Sequence, residues 1–388
     1  MKILFTSITS EIGGADLALL AAVRNLSRPE FQPIVCLPHD GPLVAAFRAA
    51  GAEVRFVPMR RLKNTLNPLW HLGFLRDYRA SCRRLAEIAR SEGADLIHSN
   101  TLPNVYGARA AKLAGLPHVW EVRELDLRPK AVRAALVFLA RRGAARIVCM
   151  SGSIAAGLFG REWQKEPISV IYGAVDLGAF RPASTAPTRL RGRLGLPPDS
   201  RVAGIWCRFD EWKGLPVAIR AAGRIAKTTP RFRLLVAGGP TAGHERYAEK
   251  LKRLAQKVAP DSVIFTGWLS PEETPAFVAG LDVAVHASTR PEPFGLVIAE
   301  AMSCGTPLVA PRIGSPLELV ENEIDGLLYE AGKPEALAAA IKRFFDEPEL
   351  REKCARAGRA KAERLFDIKK NVRQLEEIYR SLAGRRGP

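Results

Sequence analysis

The sequence predicts an α/β chain of two doubly wound units, each a parallel sheet with crossover helices. Three observations carry this expectation. Short strand-like apolar runs alternate with helical segments along the chain. The alternation occurs twice, either side of the Pro/Ser/Thr-rich stretch FRPASTAPTRLRGRLGLPPDS. And 388 residues, 47% of them apolar, are enough for two ordinary domains with a large core.

Taken in order, KILFTSI reads as a first strand, TSEIGG as a glycine loop, and ADLALLAAVRNL as a helix with apolar residues at helical spacing. Strand-like runs follow at PIVCLP, EVRFVP, DLIHSN, HVWEV and RIVCMS. Beyond the break come RVAGIW, FRLLVAGG, SVIFTGW, DVAVHAS, TPLVAP and GLLYE, again alternating with helices, and NVRQLEEIYRSLAG forms a last helix. The expected division is residues 1–180, with a C-terminal helix at about 367–388 packing back on them, and residues 190–366, the stretch between being a linker. Two such domains facing each other would leave a cleft at the carboxyl ends of both sheets.

Composition narrows the function classes. The net charge is +18, spread evenly: residues 1–180 hold 24 Lys/Arg against 15 Asp/Glu, and the rest holds 34 against 25. Such an excess asks for an anionic partner such as phosphate, nucleic acid or a membrane surface. Nucleic acid is disfavoured, because aromatics are 7% of the chain and are not interleaved with the cations. Two basic stretches stand out. RRLKNTLNPLWHLGFLRDYRASCRR holds Arg60, Arg61, Lys63, Arg76, Arg79, Arg83 and Arg84 against Asp77 alone, and RPKAVRAALVFLARRGAAR holds six cations from Arg128 to Arg146 and no acid. They point to docking on an anionic surface. No apolar run is longer than AALVFLA, which is too short to cross a bilayer, and MKILFTSITSEIGG reads as a strand instead of a signal peptide. Six scattered cysteines without a C-x-x-C pair fit a reducing compartment. The expected location is cytoplasmic, with peripheral attachment to the inner face of the membrane.

The chemistry centres on HASTRPEPFGLVIAEAMSCGTPLVAP, residues His286 to Pro311, where Glu292 and Glu300 bracket the start of a helix at Phe294, Gly295 and Leu296. The first N–H groups of a helix lack internal partners and carry partial positive charge, so they suit a phosphate, and Gly295 lets it approach the backbone. A carboxylate beside that phosphate would be repelled, so Glu292 is assigned to sugar hydroxyls. Glu300, about 7–8 Å along the helix, is placed to accept from a diol. A phosphate locus flanked by two hydroxyl-binding acids has the outline of a nucleotide sugar. His286 is read as core-adjacent.

Over nearly its whole length the chain resembles the retaining glycosyltransferases of GT-B fold, family 4 type, which carry an E-x7-E motif matched by Glu292 and Glu300. In that group the first acid contacts the transferred sugar and the second the ribose. GIWCRFDEWKGLPVAIRAA is similar to the segment whose Arg208 and Lys213 would grip the diphosphate. FTGWLSPEE matches the base-lining segment around Gly267, Trp268 and Leu269, and LVAGGP the glycine turn at Gly238 and Gly239. SEIGGADLALL matches the N-terminal loop whose Gly13 and Gly14 approach the phosphate. IYGAVDLGAFRP and CMSGSIAAGL match two further segments.

Two departures stand out. Tyr172-Gly173 replaces the usual Asn-Gly, and after HVWEV Arg123 and Glu124 fill the places of the usual histidine and acid. Arg123 cannot act as a base, and is expected to hold an anionic group, either an acceptor phosphate or Glu124. His98, Asn100 and Glu124 are the acceptor-side candidates. The resemblance implies transfer of a sugar from a nucleotide-diphosphate sugar to a glycan or lipid-linked acceptor, by a front-face route in cell-envelope polysaccharide or lipopolysaccharide synthesis. No D-x-D occurs, so neither a metal nor another cofactor is expected, Arg208 and Lys213 supplying the charge. A GT-B epimerase or phosphorylase is the nearest alternative. A dinucleotide-dependent oxidoreductase is excluded, since G-x-G-x-x-G is absent after the first strand.

Overall fold

The computed structural model describes residues 1–62, 67–241 and 243–384. The chain divides into two units, Met1–Gly173 with Ile368–Pro388, and Ala174–Asp367. In the first unit β1 (Lys2–Thr6), β2 (Gln32–Leu37), β3 (Glu53–Phe56), β4 (Leu96–Ser99), β5 (His118–Val122), β6 (Arg146–Cys149) and β7 (Ile168–Val170) form a parallel sheet in the order β3-β2-β1-β4-β5-β6-β7. Helices cover both faces of such a sheet, which is why β1 can bury Ile3, Leu4 and Phe5 completely. The sequence reading has no counterpart for β7, whose three residues ISV are too few to show a period.

The last helix, Ile368–Ala383, belongs to this unit. Ile368, Val372, Leu375, Tyr379 and Leu382 recur at helical spacing and are buried. Ser27 donates from its backbone N–H to Glu376, at 2.6 Å. Tyr379 is fully buried, with its ring 6.4 Å from Phe5 and 6.1 Å from Phe31.

The second unit has β8 (Arg201–Trp206), β9 (Phe232–Ala237), β10 (Val263–Gly267), β11 (Val283–Val285), β12 (Leu308–Pro311) and β13 (Leu327–Tyr329), all parallel, in the order β10-β9-β8-β11-β12-β13. Its core gathers Ile205, Ile219, Phe232, Val236 and Phe344 between this sheet and its helices. The stretch read as a linker is part of this unit. It contains the helix Ala186–Arg193, and its Arg191 is buried, donating to Ser200 O at 2.8 Å and pairing with Asp282 at 2.5 Å. A run rich in Pro and Ser looks like a linker in sequence, but a paired arginine ties it down.

Strand order reverses direction between β1 and β4 and between β8 and β11. In doubly wound sheets ligands bind beyond the carboxyl ends of the strands at such a reversal. Among the described residues no helix is long and apolar enough to cross a membrane.

Candidate functional site

In the second unit the loops after β8 and β11 meet at the strand-order reversal. The first makes a short 3-10 turn, Glu211–Lys213, closed by Gly214 at φ 70°. A side chain at Gly214 would strike the carbonyl oxygen of Ala287, so glycine lets the two loops touch. Thr289 N–H donates to Trp212 O at 2.8 Å. This contact brings Lys213 to Glu292, 79 residues away in sequence, and they form an ion pair through Nζ and Oε1. The Lys213 ammonium also lies 4.0 Å from the centre of the Trp212 ring. The side chains of Lys213 and Glu292 are only 16% and 10% exposed.

The second oxygen of Glu292 is held from the other side. His286 Nε2 lies 2.5 Å from Oε2, and Ser288 Oγ donates to the same oxygen at 2.9 Å. Burial alone would push the Glu292 carboxyl upward, but His286 and Lys213, by charge and hydrogen bond, hold it well below the usual carboxylate range. The site therefore keeps a charged carboxylate. His286, read as core-adjacent, is buried, and its ring also contacts Glu292.

Gly295, at φ 81°, opens the helix Leu296–Ser303. Phe294 departs from a ligand-facing role: the residue is buried, its ring packs edge-on to Phe366 at 5.6 Å, and its carbonyl accepts from Ser315 Oγ at 2.7 Å. Leu296 is partly exposed at the helix start. Glu300 accepts from the Trp206 indole N–H through Oε2. Burial raises its carboxyl above the ordinary value, against the opposing effects of Trp206 and Lys213. Arg208 pairs with Asp210 at 3.0 Å and stays 58% exposed, so most of its guanidinium fork is accessible. Gly239 lies against the Trp268 indole, where an added Cβ would stand 2.6 Å from Nε1. Gly267 has φ 78°, Trp268 is 58% exposed, and Leu269 is partly exposed.

In the first unit Gly13 and Gly14 open the helix Gly14–Asn25, and a Cβ at Gly14 would meet nothing. Beside that start lies a buried chain of polar groups. Asn100 Nδ2 donates to Ala15 O at 3.2 Å, Arg123 Nε donates to Asn100 Oδ1 at 3.0 Å, and Arg123 Nη2 pairs with Glu121 Oε1 at 2.7 Å. His98 bridges Glu121 Oε2 at 3.2 Å and the Tyr379 hydroxyl at 2.7 Å. Burial pushes the Glu121 carboxyl upward, yet Arg123 and His98 bring it down to about 2.

Two expectations change here. The Arg123 side chain pairs with Glu121 and not with Glu124, whose Oε2 accepts backbone N–H groups of Leu102 at 2.9 Å and Arg123 at 3.2 Å. Arg123 stands just past the end of β5, and its side chain turns back to Glu121 on that strand, while Glu124 is taken up by the backbone N–H groups. His98 and Asn100 are 0% and 1% exposed, so they support Arg123 and do not themselves face an acceptor. Sequence reasoning missed Glu121, Ser288, Trp206 and Tyr379. An acid inside the apolar run HVWEV was a readable signal for Glu121; nothing local marks Tyr379, 281 residues from His98.

Comparison with known proteins follows this division. Residues 12–179 match the model of glycosyltransferase family 4, and residues 188–361 that of glycosyl transferases group 1. The chain is similar along nearly its whole length to the crystal structure of Anabaena HepE in complex with UDP and glucose, at 26% identity, a TM-score of 0.83 and coverage of 98% of this chain and 100% of that one. The chain belongs to the GT-B glycosyltransferases of the family 4 type. Among curated relatives, this glycosyltransferase is 36% identical over 235 residues to a D-inositol 3-phosphate glycosyltransferase of Acidothermus cellulolyticus, covering 59% of this chain and 51% of that protein. A Salinispora arenicola protein of the same name is 28% identical over 98% of this chain and 90% of its own length. The glycosyltransferase spans about half the length of the first curated relatives it matches.

Proposed function

We propose that the protein transfers a hexose, with retention of configuration, from a UDP-sugar to an anionic glycan or lipid-linked acceptor, within the synthesis of a cell-envelope polysaccharide or lipopolysaccharide. The observation that carries this reading is the meeting of Lys213 with Glu292 beside the Gly295 helix start. A cation and an ionised carboxylate meet beside a helix start, whose first N–H groups suit a phosphate. UDP is the proposed nucleotide because HepE was solved with UDP and with UDP-glucose.

In the proposed reaction the bond between the anomeric carbon and the diphosphate oxygen breaks. The electron pair leaves with the diphosphate, which Lys213, Arg208 and the helix start stabilise without a divalent cation. Glu292 accepts from sugar hydroxyls and stabilises positive charge developing on the ring. The acceptor oxygen bonds to the anomeric carbon on the face the diphosphate leaves, and its proton passes to a diphosphate oxygen. Glu300 accepts from the ribose. Gly239, Gly267, Trp268 and Leu269 line the base.

Arg123 is proposed to meet an anionic group of the acceptor. Its side chain is 9% exposed, and among the described residues only Nε and Nη2 are engaged, by Asn100 and Glu121. Two exposed amphipathic helices of the first unit are proposed to dock on an anionic leaflet. Leu69, Leu72 and Leu75 are 76%, 64% and 52% exposed among the arginines of Pro68–Ser91, and Phe138 is 56% exposed beside Arg142. Lys63 of the first basic stretch lies outside the described residues.

A thermal-shift panel of UDP, GDP, ADP and a DNA oligomer tests the reading, followed by release of UDP from UDP-glucose. A rise in melting temperature that grows with UDP concentration is expected. Stabilisation by the oligomer alone would sink it.

A further inference from the structure

We infer that His286 is the positioning residue for Glu292, holding the carboxylate in place when Lys213 leaves it for the donor diphosphate; this rests on the glycosyltransferase reading above. Three buried histidines have both nitrogens within reach of partners or only one. His98 uses both, on Tyr379 and Glu121, and His118 uses both, on Gly143 O and Ser99 Oγ. His286, 4% exposed, uses only Nε2, and its Nδ1 is buried without a partner. A histidine kept for packing would satisfy its second nitrogen. Here that cost is accepted for the sake of the Nε2 side.

The ring is also fixed from behind. His286 follows β11 directly, its N–H donates to Val309 O at 2.9 Å, and its carbonyl accepts from the Tyr329 hydroxyl at 3.4 Å. A Cβ built on Gly295 would stand 3.5 Å from its Cε1, so the imidazole lies beneath the helix start.

The consequences follow from counting donors. Glu292 Oε2 takes His286 Nε2 and Ser288 Oγ, which fills the two acceptor positions of that oxygen. Oε1 takes Lys213 alone among the described residues. A sugar hydroxyl must therefore bond to Oε1, in place of Lys213 or beside it. When the ammonium turns to the diphosphate, Oε1 is released to the sugar, and only the His286–Ser288 pair still orients the carboxylate. His286 acts through Glu292 and touches no substrate.

The test uses His286→Ala, His286→Gln and Ser288→Ala in the full chain. Two quantities are read: kcat for UDP release from UDP-glucose with water as acceptor, and UDP affinity by calorimetry. A misplacement of about 1 Å in a reacting group costs on the order of 100-fold in rate. His286→Ala should lose about that factor in kcat, with UDP affinity within about 3-fold of the parent. His286→Gln, whose side-chain amide N–H reaches the position of Nε2, should recover at least about 10-fold of the loss, and Ser288→Ala should lose less than His286→Ala. Unchanged kcat in all three variants overturns the inference. So does a parallel loss of kcat and UDP affinity in which glutamine is no better than alanine, which is the mark of simple packing. Should His286→Ala fail to fold, the glutamine and Ser288 variants carry the same decision. A parent enzyme that binds no UDP and releases none from UDP-glucose rejects the glycosyltransferase reading itself, and this inference with it.

Discussion

Lys213→Ala offers the most direct measurement of the site. It removes the cation on Glu292 Oε1 and leaves a carboxylate 10% exposed with His286 and Ser288 as its remaining partners. Breaking a buried pair by deleting one partner costs about 3–5 kcal/mol. Lys213 is 16% exposed, so water reaches it, and about 3 kcal/mol is the expected loss. In Glu292→Gln the lysine keeps its place over Trp212 and the carboxylate charge is gone. The double variant should then recover about 2 kcal/mol relative to the sum of the single changes, within the range for contacting residues. The assay is urea unfolding followed by tryptophan fluorescence. Trp206, Trp212 and Trp268 all lie in the second unit, and Trp212 touches the lysine, so the transition of that unit is visible.

The pH dependence adds a second test. The folded carboxyl of Glu292 is depressed, so its contribution is complete above its ordinary value of 4.5 and is lost as pH falls through the folded value. The stability gap between parent and Lys213→Ala should accordingly narrow on acidification below about pH 4.5. A coupling below about 0.5 kcal/mol, or a gap independent of pH, would refute the buried ion pair.

Other outcomes are expected. Glu300→Gln should weaken UDP binding by about 1.5–3 kcal/mol, the range for a hydrogen bond to a charged group, measured by calorimetry; unchanged affinity removes it from the ribose. Turnover should survive excess EDTA, and a strict need for Mg²⁺ or Mn²⁺ would show that Arg208 and Lys213 do not suffice. Arg123→His should raise the acceptor KM more than the donor KM, because the anionic acceptor group loses its guanidinium; equal changes count against it. Vesicles of phosphatidylglycerol should sediment the protein at low salt and release it at high salt, each cation near the leaflet contributing about 1 kcal/mol. Equal recovery on neutral vesicles at both salt concentrations rejects electrostatic docking.

Much of the architecture was readable because buried parallel strands are written locally. Runs such as RVAGIW and FRLLVAGG are apolar on both faces and punctuated by Gly, so their number and place follow from neighbours in sequence. The same holds for the start of the helix after Gly295 and for the glycines at 13 and 14. β7 escaped, because three residues carry no period. The helix Ala186–Arg193 escaped because its hold on the unit, Arg191 with Asp282, spans 91 residues. The candidate site divides along the same line. Glu292, Glu300, Arg208 and Lys213 are recognisable as types in a spacing, but which oxygen each cation would hold is set by loops that touch only after folding. Gly214 against Ala287 brings Lys213 to Glu292. Arg123, just past the end of β5, turns back to Glu121 and to Asn100 from another loop. Tyr379 reaches His98 only because the last helix packs in the first unit. Short-range pattern encodes the elements and the residue types, while charge pairing and burial, which set the ionised state of Glu292 and the depressed carboxyl of Glu121, depend on distances between residues far apart in the chain.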